Sequence, residues 1–369
     1  MTGLTDIPTR YQAIIYDQPG ALSTKIVELD TPNPGVGDVL VRMTHSGVCR
    51  SDLSVMMRRW SYLGPPIQPG QVGGHEGVGE IARLGPGTER FNLKIGDRVG
   101  IKWMARVCGE CLPCLAGRDG SCFNGKISGY ETAGTFQQFT LAPANYVTPI
   151  PSSLRSDLAA PLLCGGVTAY AALKKCDAQP GDFVVIMGAT GGLGHLALQI
   201  GSNGMGYRMI AVDYGHKSEF AIQCGAELYF DVKNHKSNAE LVKAIKDASP
   251  GGFGATAVVV CTASNDAYAA GFEMLKLSGT LVCVGVPEGK QVPIATVDPA
   301  SIISKEARVV GSLVGNREDA IATLDLAARG VINTRFRIEP MSNSSKVFEE
   351  MENMKLQGRV VLDLTQAVS

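Results

Sequence analysis

At 369 residues, with 45 % hydrophobic and 19 % charged residues and 44 glycines, the chain has the composition of a soluble globular protein with sizeable cores and many tight turns. A formal net charge of −1, with no long basic or acidic run, argues against nucleic acid or an anionic membrane as the main partner. The opening segment MTGLTDIPTRYQ has neither an apolar run nor a small-residue cleavage pattern, and no uninterrupted apolar stretch reaches membrane-spanning length, so the expected location is cytoplasmic.

The first 150 residues are short β-like runs separated by Gly and Pro: Val39–Met43, Val78–Leu84, Arg98–Trp103 and Phe136–Leu141. They predict a compact, mainly β domain. Within it, Cys108, Cys111, Cys114 and Cys122 read C-x2-C-x2-C-x7-C in a Gly-rich loop. Four thiolates so close together satisfy a tetrahedral Zn2+ completely, and the crowding and expected reducing compartment favour metal over disulfides. A closed site of this kind is structural, so the chemistry lies elsewhere.

From about residue 165 the texture changes. Phe183–Met187 (FVVIM) predicts a buried parallel strand. A helical pattern covers Gly192 to about Ser202. Further strands are expected at Arg208–Asp213, Leu228–Asp231, Thr256–Cys261, Thr280–Gly285 and Arg308–Val314. Ser237 with Glu240 has the spacing of a capping box, and another helix is expected between Asn316 and Gly330. Six strands alternating with helices predict an α/β fold with a doubly wound, Rossmann-type parallel sheet. Cys176, Cys224, Cys261 and Cys283 sit in apolar surroundings and read as small core residues.

The turn after the first of these strands is Gly188-Ala189-Thr190-Gly191-Gly192-Leu193-Gly194. Ala189 departs from a strict G-x-G-x-x-G, but Gly191 can admit a pyrophosphate, Gly194 can permit close helix–strand packing, and the helix N-terminus supplies oriented N–H groups. Asp213 ends the second strand at about the twenty-residue spacing of an acid that binds both adenosine ribose hydroxyls. Its charge would repel a 2′-phosphate, and Tyr214, not Arg, follows it, so NAD is expected rather than NADP.

Cys49, His75 and Cys164 show no short-range metal spacing, and a lone cysteine in an apolar run such as Cys164 ordinarily reads as core. The segments holding them are SGVCRSD, GGHEG and LCGGVTAY. Together with the cysteine loop, GIKW, GTFQQF, GATGGLG, SLVGNR and QGRVV, they make the chain resemble the yeast-type zinc alcohol dehydrogenases of the medium-chain dehydrogenase/reductase superfamily, collinearly from about Tyr11 to Leu364.

That resemblance implies a GroES-like catalytic domain over residues 1–165 and 314–369, and an NAD-binding Rossmann domain over 166–313. It implies two zinc ions per chain. Cys49, His75 and Cys164 would hold the catalytic one with its fourth position open, and the four-cysteine loop the structural one. Glu76 matches the acid beside the ligand histidine, Asp52 the carboxylate that orients the imidazole, and Ser51 the hydroxyl that relays the alcohol proton. The coenzyme site would comprise Arg50, Gly188, Gly191, Gly192, Leu193, Gly194, Asp213, Lys217, Val284, Val286 and Arg359. Trp60 and Trp103 match aromatic walls of a small substrate pocket.

The implied function is reversible hydride transfer between an alcohol and NAD, in a homo-oligomer, dimer or tetramer. Two departures stand out. Arg50 replaces the usual histidine by the pyrophosphate, and Ser54 replaces a histidine that passes the proton to solvent, so proton exit would need water. Met56, Met57, Arg58 and Arg59 lie in a slightly longer loop that could admit a larger or anionic substrate, although the two arginines also read simply as solvated. The alternatives are a reductase of an activated C=C or carbonyl from the same superfamily and, more remotely, a non-catalytic zinc protein.

Overall fold

The computed structural model describes residues 6–356 and 358–366, so Gln357 of the QGRVV segment and the first five residues of the opening segment lie outside the described residues. The chain divides into two compact units. One runs to Cys164 and includes Gly315–Ala328 and the segment from Thr334 onward; the other comprises Gly165–Val314 with Arg329–Asn333.

The first unit is built around the strand Asp38–Val48, which pairs antiparallel with Gly77–Leu84, Phe139–Pro143 and Arg359–Asp363. Gly77–Leu84 continues the sheet to Arg98–Ile101, and Arg359–Asp363 continues it, in parallel, to Phe336–Pro340. A second sheet joins Thr24–Asp30, Arg10–Tyr16 and Gln71–Val72. Val39, Leu40, Val41, Val78, Ile81, Val360 and Val361 are buried, as β-branched and apolar side chains in a closed β core should be. Arg359–Val361 of the QGRVV segment thus lie in an interior strand beside the one that leads into Cys49.

In the second unit, Phe183–Met187 occupies the middle of a six-stranded parallel sheet. Arg208–Asp213 and Ala226–Asp231 lie on one side of it; Ala255–Val260, Leu275–Cys283 and Arg308–Gly311 lie on the other. This is the doubly wound order, in which the switch point falls at the C-terminal end of the central strand. Every residue of FVVIM and of Ala255–Val260 is buried, which explains the unbroken apolar runs. Ser237 caps the helix Asn238–Ala248, its Oγ accepting the Glu240 N–H at 3.3 Å.

Several boundaries differ from the sequence expectation, among them Phe139–Pro143 in place of Phe136–Leu141 and Ala226–Asp231 in place of Leu228–Asp231. The strand expected at Thr280–Gly285 begins earlier and covers Leu275–Cys283, and the one expected at Arg308–Val314 stops at Gly311. The helix after the Gly-rich turn is regular only over Gly194–Gln199 and widens into a π turn over Ile200–Gly204. Of the leftover cysteines, Cys176 and Cys224 are buried, whereas Cys261 and Cys283 are only half-buried. Among the described residues, no single helix is long and apolar enough to cross a membrane.

Candidate active site

Cys49 ends the long central strand and caps the helix Arg50–Met56, where extended backbone turns into helix. Asp52 in the first turn accepts the Cys49 N–H with Oδ2 at 2.9 Å, and its Oδ1 lies 2.8 Å from His75 Nδ1. An ionised carboxylate only accepts, so Nδ1 carries a hydrogen and Nε2 is the nitrogen left to serve as a ligand. His75 is delivered by the Gly73-Gly74 turn. A side chain at Gly73 would run into Tyr16 Oη at 2.3 Å, and Gly74 has φ +93°, so neither position tolerates a Cβ.

The ligand atoms of Cys49, His75, Glu76 and Cys164 all lie within 4.8 Å of one another, in four buried residues drawn from widely separated parts of the chain. His75 Nε2 is buried and has no hydrogen-bond partner. A buried ring nitrogen without a partner beside two thiols costs free energy, which a metal ion bound there in exchange for the Nε2 proton would relieve. The thiols behave accordingly. Its hydrogen bond with Cys164 holds Cys49 well below the ordinary thiol range, and the same bond pushes Cys164 well above it. Burial opposes protonation of His75, but the carboxylate of Asp52 holds it well above its ordinary value. Two thiols and one imidazole, the imidazole hydrogen-bonded to a buried carboxyl group, fit a zinc ion.

Glu76 is fully buried, and both its oxygens contact Arg359 Nη2. Burial pushes its carboxyl up and the guanidinium pulls it down. Arg359 is therefore engaged inside this unit, although its Nε is buried without a partner. Ser51 Oγ lies 3.7 Å from Cys49 Sγ. Trp103 packs edge-on against His75, with ring centroids 4.9 Å apart, and Trp60 packs edge-on against Trp103 at 6.3 Å. Ser54 is completely buried and does not face water.

The four-cysteine loop brings its sulfurs together. Cys111 lies 3.5 Å from Cys114 and 3.8 Å from Cys122, and Cys122 lies 3.5 Å from Cys108. All four are free thiols. Sulfurs at the corners of a tetrahedron with Zn–S bonds of about 2.3 Å stand roughly 3.8 Å apart, so the spacing suits one zinc.

In the second unit, the Gly-rich turn closes on the helix it starts. A Cβ at Gly194 would meet Gly188 O at 2.2 Å, whereas one at Gly191 would find open space apart from that same oxygen at 3.4 Å. Asp213 does more than face outward from the strand end. Its Oδ2 accepts the Thr190 N–H at 2.7 Å and the Thr190 hydroxyl at 2.6 Å, and its Oδ1 accepts the Tyr214 N–H at 2.7 Å. Lys217 Nζ lies 3.8 Å from it. Local spacing does not single out Thr190; its place in the turn opposite the strand-ending acid is the available signal. Gly192 and Leu193 complete the turn, and Val284 and Val286 follow the fifth strand of this sheet.

A family model for the alcohol dehydrogenase GroES-like domain matches residues 35–152, and one for the zinc-binding dehydrogenase domain matches residues 192–329. The chain belongs to the zinc-containing alcohol dehydrogenases, in the fungal-type branch of the medium-chain superfamily. It is 54 % identical to alcohol dehydrogenase 2 of Emericella nidulans over 98 % of this chain and 99 % of that protein. It is 37 % identical to an alcohol dehydrogenase of Schizosaccharomyces pombe over 96 % of this chain and 97 % of that one. The solved alcohol dehydrogenase of the archaeon Aeropyrum pernix shares the fold with a TM-score of 0.84, at 30 % identity over 95 % of this chain and 99 % of that structure. These relatives are enzymes throughout, which removes the non-catalytic zinc protein from consideration.

Proposed function

We propose that this chain interconverts a small alcohol and its aldehyde or ketone with NAD as hydride carrier, using Cys49, His75 and Cys164 as ligands of a catalytic zinc. The observation that carries this proposal is the buried Nε2 of His75, without a hydrogen-bond partner and within 4.8 Å of the Cys49 and Cys164 thiols. Bound there with an open position, zinc would acidify an alcohol hydroxyl and polarise a carbonyl. NAD supplies the hydride acceptor.

The chain's own residues do the rest. Asp52 fixes the direction of the imidazole, and Glu76, paired with Arg359, places a buried carboxyl group beside the ligands. Ser51 Oγ takes the alcohol proton. Since Ser54 is sealed off, we route the proton past Ser51 to water without residue 54. Trp60 and Trp103 narrow the pocket above His75. Gly188, Gly191, Gly192, Leu193 and Gly194 cradle the pyrophosphate. Asp213 holds the adenosine ribose while anchoring the turn through Thr190, with Lys217, Val284 and Val286 around the coenzyme. Cys108, Cys111, Cys114 and Cys122 hold a structural zinc. The catalytic domain would span residues 1–165 and 314–369, the coenzyme domain 166–313, and the enzyme would act in the cytoplasm as a homo-oligomer.

The test is steady-state turnover of a panel of short, branched and aromatic alcohols with NAD and with NADP. Turnover of short primary alcohols with NAD and a strong preference over NADP is expected. Reduction of an enal at its C=C bond with no alcohol oxidation would overturn the reading.

A further inference from the structure

The loop between the metal-ligand helix and the GGHEG turn carries two adjacent arginines ahead of Trp60, and their partners differ. Arg58 Nη2 donates to Ile67 O at 3.0 Å. Arg59 makes a two-pronged pair with Glu352: Nη1 to Oε2 at 2.9 Å and Nη2 to Oε1 at 2.5 Å. The side chains are 19 % and 35 % exposed, so this is a partly covered, bidentate pair rather than a loose surface contact. The Arg59 hydrogen bonds lower the Glu352 carboxyl below its ordinary value, and the pair is charged at neutral pH. Arg59 is thus occupied by a carboxylate of its own chain and does not serve as the receptor for an anionic substrate that the loop's composition had suggested.

Its position gives the pair a use. Arg59 immediately precedes Trp60, whose indole N–H is buried without a partner and so provides no polar tether. The Arg59 N–H is bound to Ser54 O at 2.9 Å, which ties the backbone to the helix that begins at Cys49. Glu352 closes the helix Ser344–Glu352, which is anchored by Val347 and Phe348; Phe348 is fully buried and packs edge-on against Phe136. Arg50 Nη1 adds a bond to Met351 O at 3.3 Å. Beyond Trp60, the next side-chain anchor is Tyr130 Oη, 3.0 Å from Leu63 O and 2.6 Å from Pro65 O. Between the two anchors, the Trp60 ring stacks against Trp103 and Tyr62.

We propose that the Arg59–Glu352 pair is the positioning device that holds Trp60 over Trp103 and His75, and thereby limits the size of alcohol the site accepts. The inference rests on the functional reading above, since it takes Trp60 as a wall of the substrate pocket. Releasing Arg59 frees the segment before Trp60, the indole moves off Trp103, and space opens beside the reacting carbon.

Two measurements test it. The first is the ratio of kcat/KM for a short primary alcohol to that for a bulky one such as cyclohexylmethanol. It is taken in wild type, Arg59→Gln, Glu352→Gln and the exchanged pair Arg59→Glu with Glu352→Arg. Each single variant should shift the ratio toward the bulky alcohol by about fivefold, the scale of a modest change in pocket fit, and mainly through KM. The exchanged pair should return most of the shift. The second uses the fact that the chain has two tryptophans. In a Trp103→Phe background Trp60 is the sole tryptophan, excited selectively at the red edge of its absorption, and Arg59→Gln should raise its acrylamide quenching about twofold. An unchanged ratio, an equal loss on all alcohols, or a shift that the exchanged pair leaves in full would overturn the proposal. If no form oxidises any alcohol, the functional reading has failed, and the quenching alone decides whether the pair positions Trp60.

Discussion

The hydrogen bond from His75 Nδ1 to Asp52 sets how well the orphaned Nε2 can serve as a ligand. Asp52→Ala removes the acceptor that fixes the direction of the imidazole and also strips the Cys49 N–H of its partner. Losses of about 10- to 100-fold in metal affinity or activity are usual when such a carboxylate is removed. Zinc retained after dialysis against a graded chelator should fall by that factor, with far-ultraviolet circular dichroism unchanged. A second residue with a consequence is Lys102. It is 4 % exposed, lies over the Tyr146 ring at 3.8 Å, and donates to Tyr146 O at 3.3 Å and Thr148 Oγ1 at 3.1 Å. Burial, reinforced by Arg317 and opposed by Asp119, pulls its pKa down to about 7. The folded protein therefore binds fewer protons than the unfolded chain between about pH 7 and pH 10, and stability rises with pH across that window. The slope is at most about 1.4 kcal/mol per pH unit, and below pH 7 the full penalty of burying the ammonium is present. Lys102→Met keeps most of the volume, so the difference in unfolding free energy between variant and wild type should favour the variant near pH 7. That advantage should shrink toward pH 10; a difference independent of pH would show that Lys102 is charged throughout.

At the scale of elements, the coenzyme unit depends on how closely its Gly-rich turn and helix approach. Gly194→Ala would drive a Cβ into Gly188 O, a backbone atom that cannot swing aside. The turn would have to open, so a loss of a few kcal/mol in stability is expected, the scale of overpacking, together with loss of NADH binding measured by fluorescence titration. Asp213→Ala should be worse for coenzyme than the loss of ribose contacts alone, because the same carboxylate holds Thr190. Much of this unit was legible in the sequence. Phe183–Met187 and Arg208–Asp213 fall where their apolar runs predict, because a strand buried on both faces has no polar positions to blur its limits. Among the misplaced ends are Leu275 and Gly311, in the two strands at one side of the sheet, where Lys276, Leu277 and Ser278 and all of Arg308–Gly311 are not buried. The metal ligands were legible by resemblance, since Cys49, His75 and Cys164 meet only after folding. Arg59–Glu352 and Glu76–Arg359 were not legible at all. Each joins residues nearly 300 positions apart, and no local pattern encodes such a pairing.

For the whole molecule, two metal centres of different construction predict two different responses to chelation. The four-cysteine loop has little structure of its own: a four-residue helix at Leu112–Leu115 and a three-residue turn at Asp119–Ser121. It exposes Leu112, Leu115 and Phe123 at 74 %, 75 % and 75 %, so apolar burial does not close it, and its fold must depend on ligation. Cys49, His75 and Cys164 instead sit in a scaffold already fixed by the central sheet, the Asp52 bonds and the Glu76–Arg359 pair. Elemental analysis of active protein should find two zinc ions per chain. Cys164→Ser should retain one zinc and most of the melting temperature while losing turnover. Cys111→Ser should lower the melting temperature by several degrees and increase proteolysis between residues 108 and 122, with whatever enzyme stays folded still turning over. Because losing one thiolate from a closed four-ligand site leaves three ligands without a full shell, added zinc should rescue this variant poorly. Activity loss without destabilisation in Cys111→Ser, or collapse of the fold in Cys164→Ser, would mean that the catalytic and structural roles have been assigned to the wrong sites.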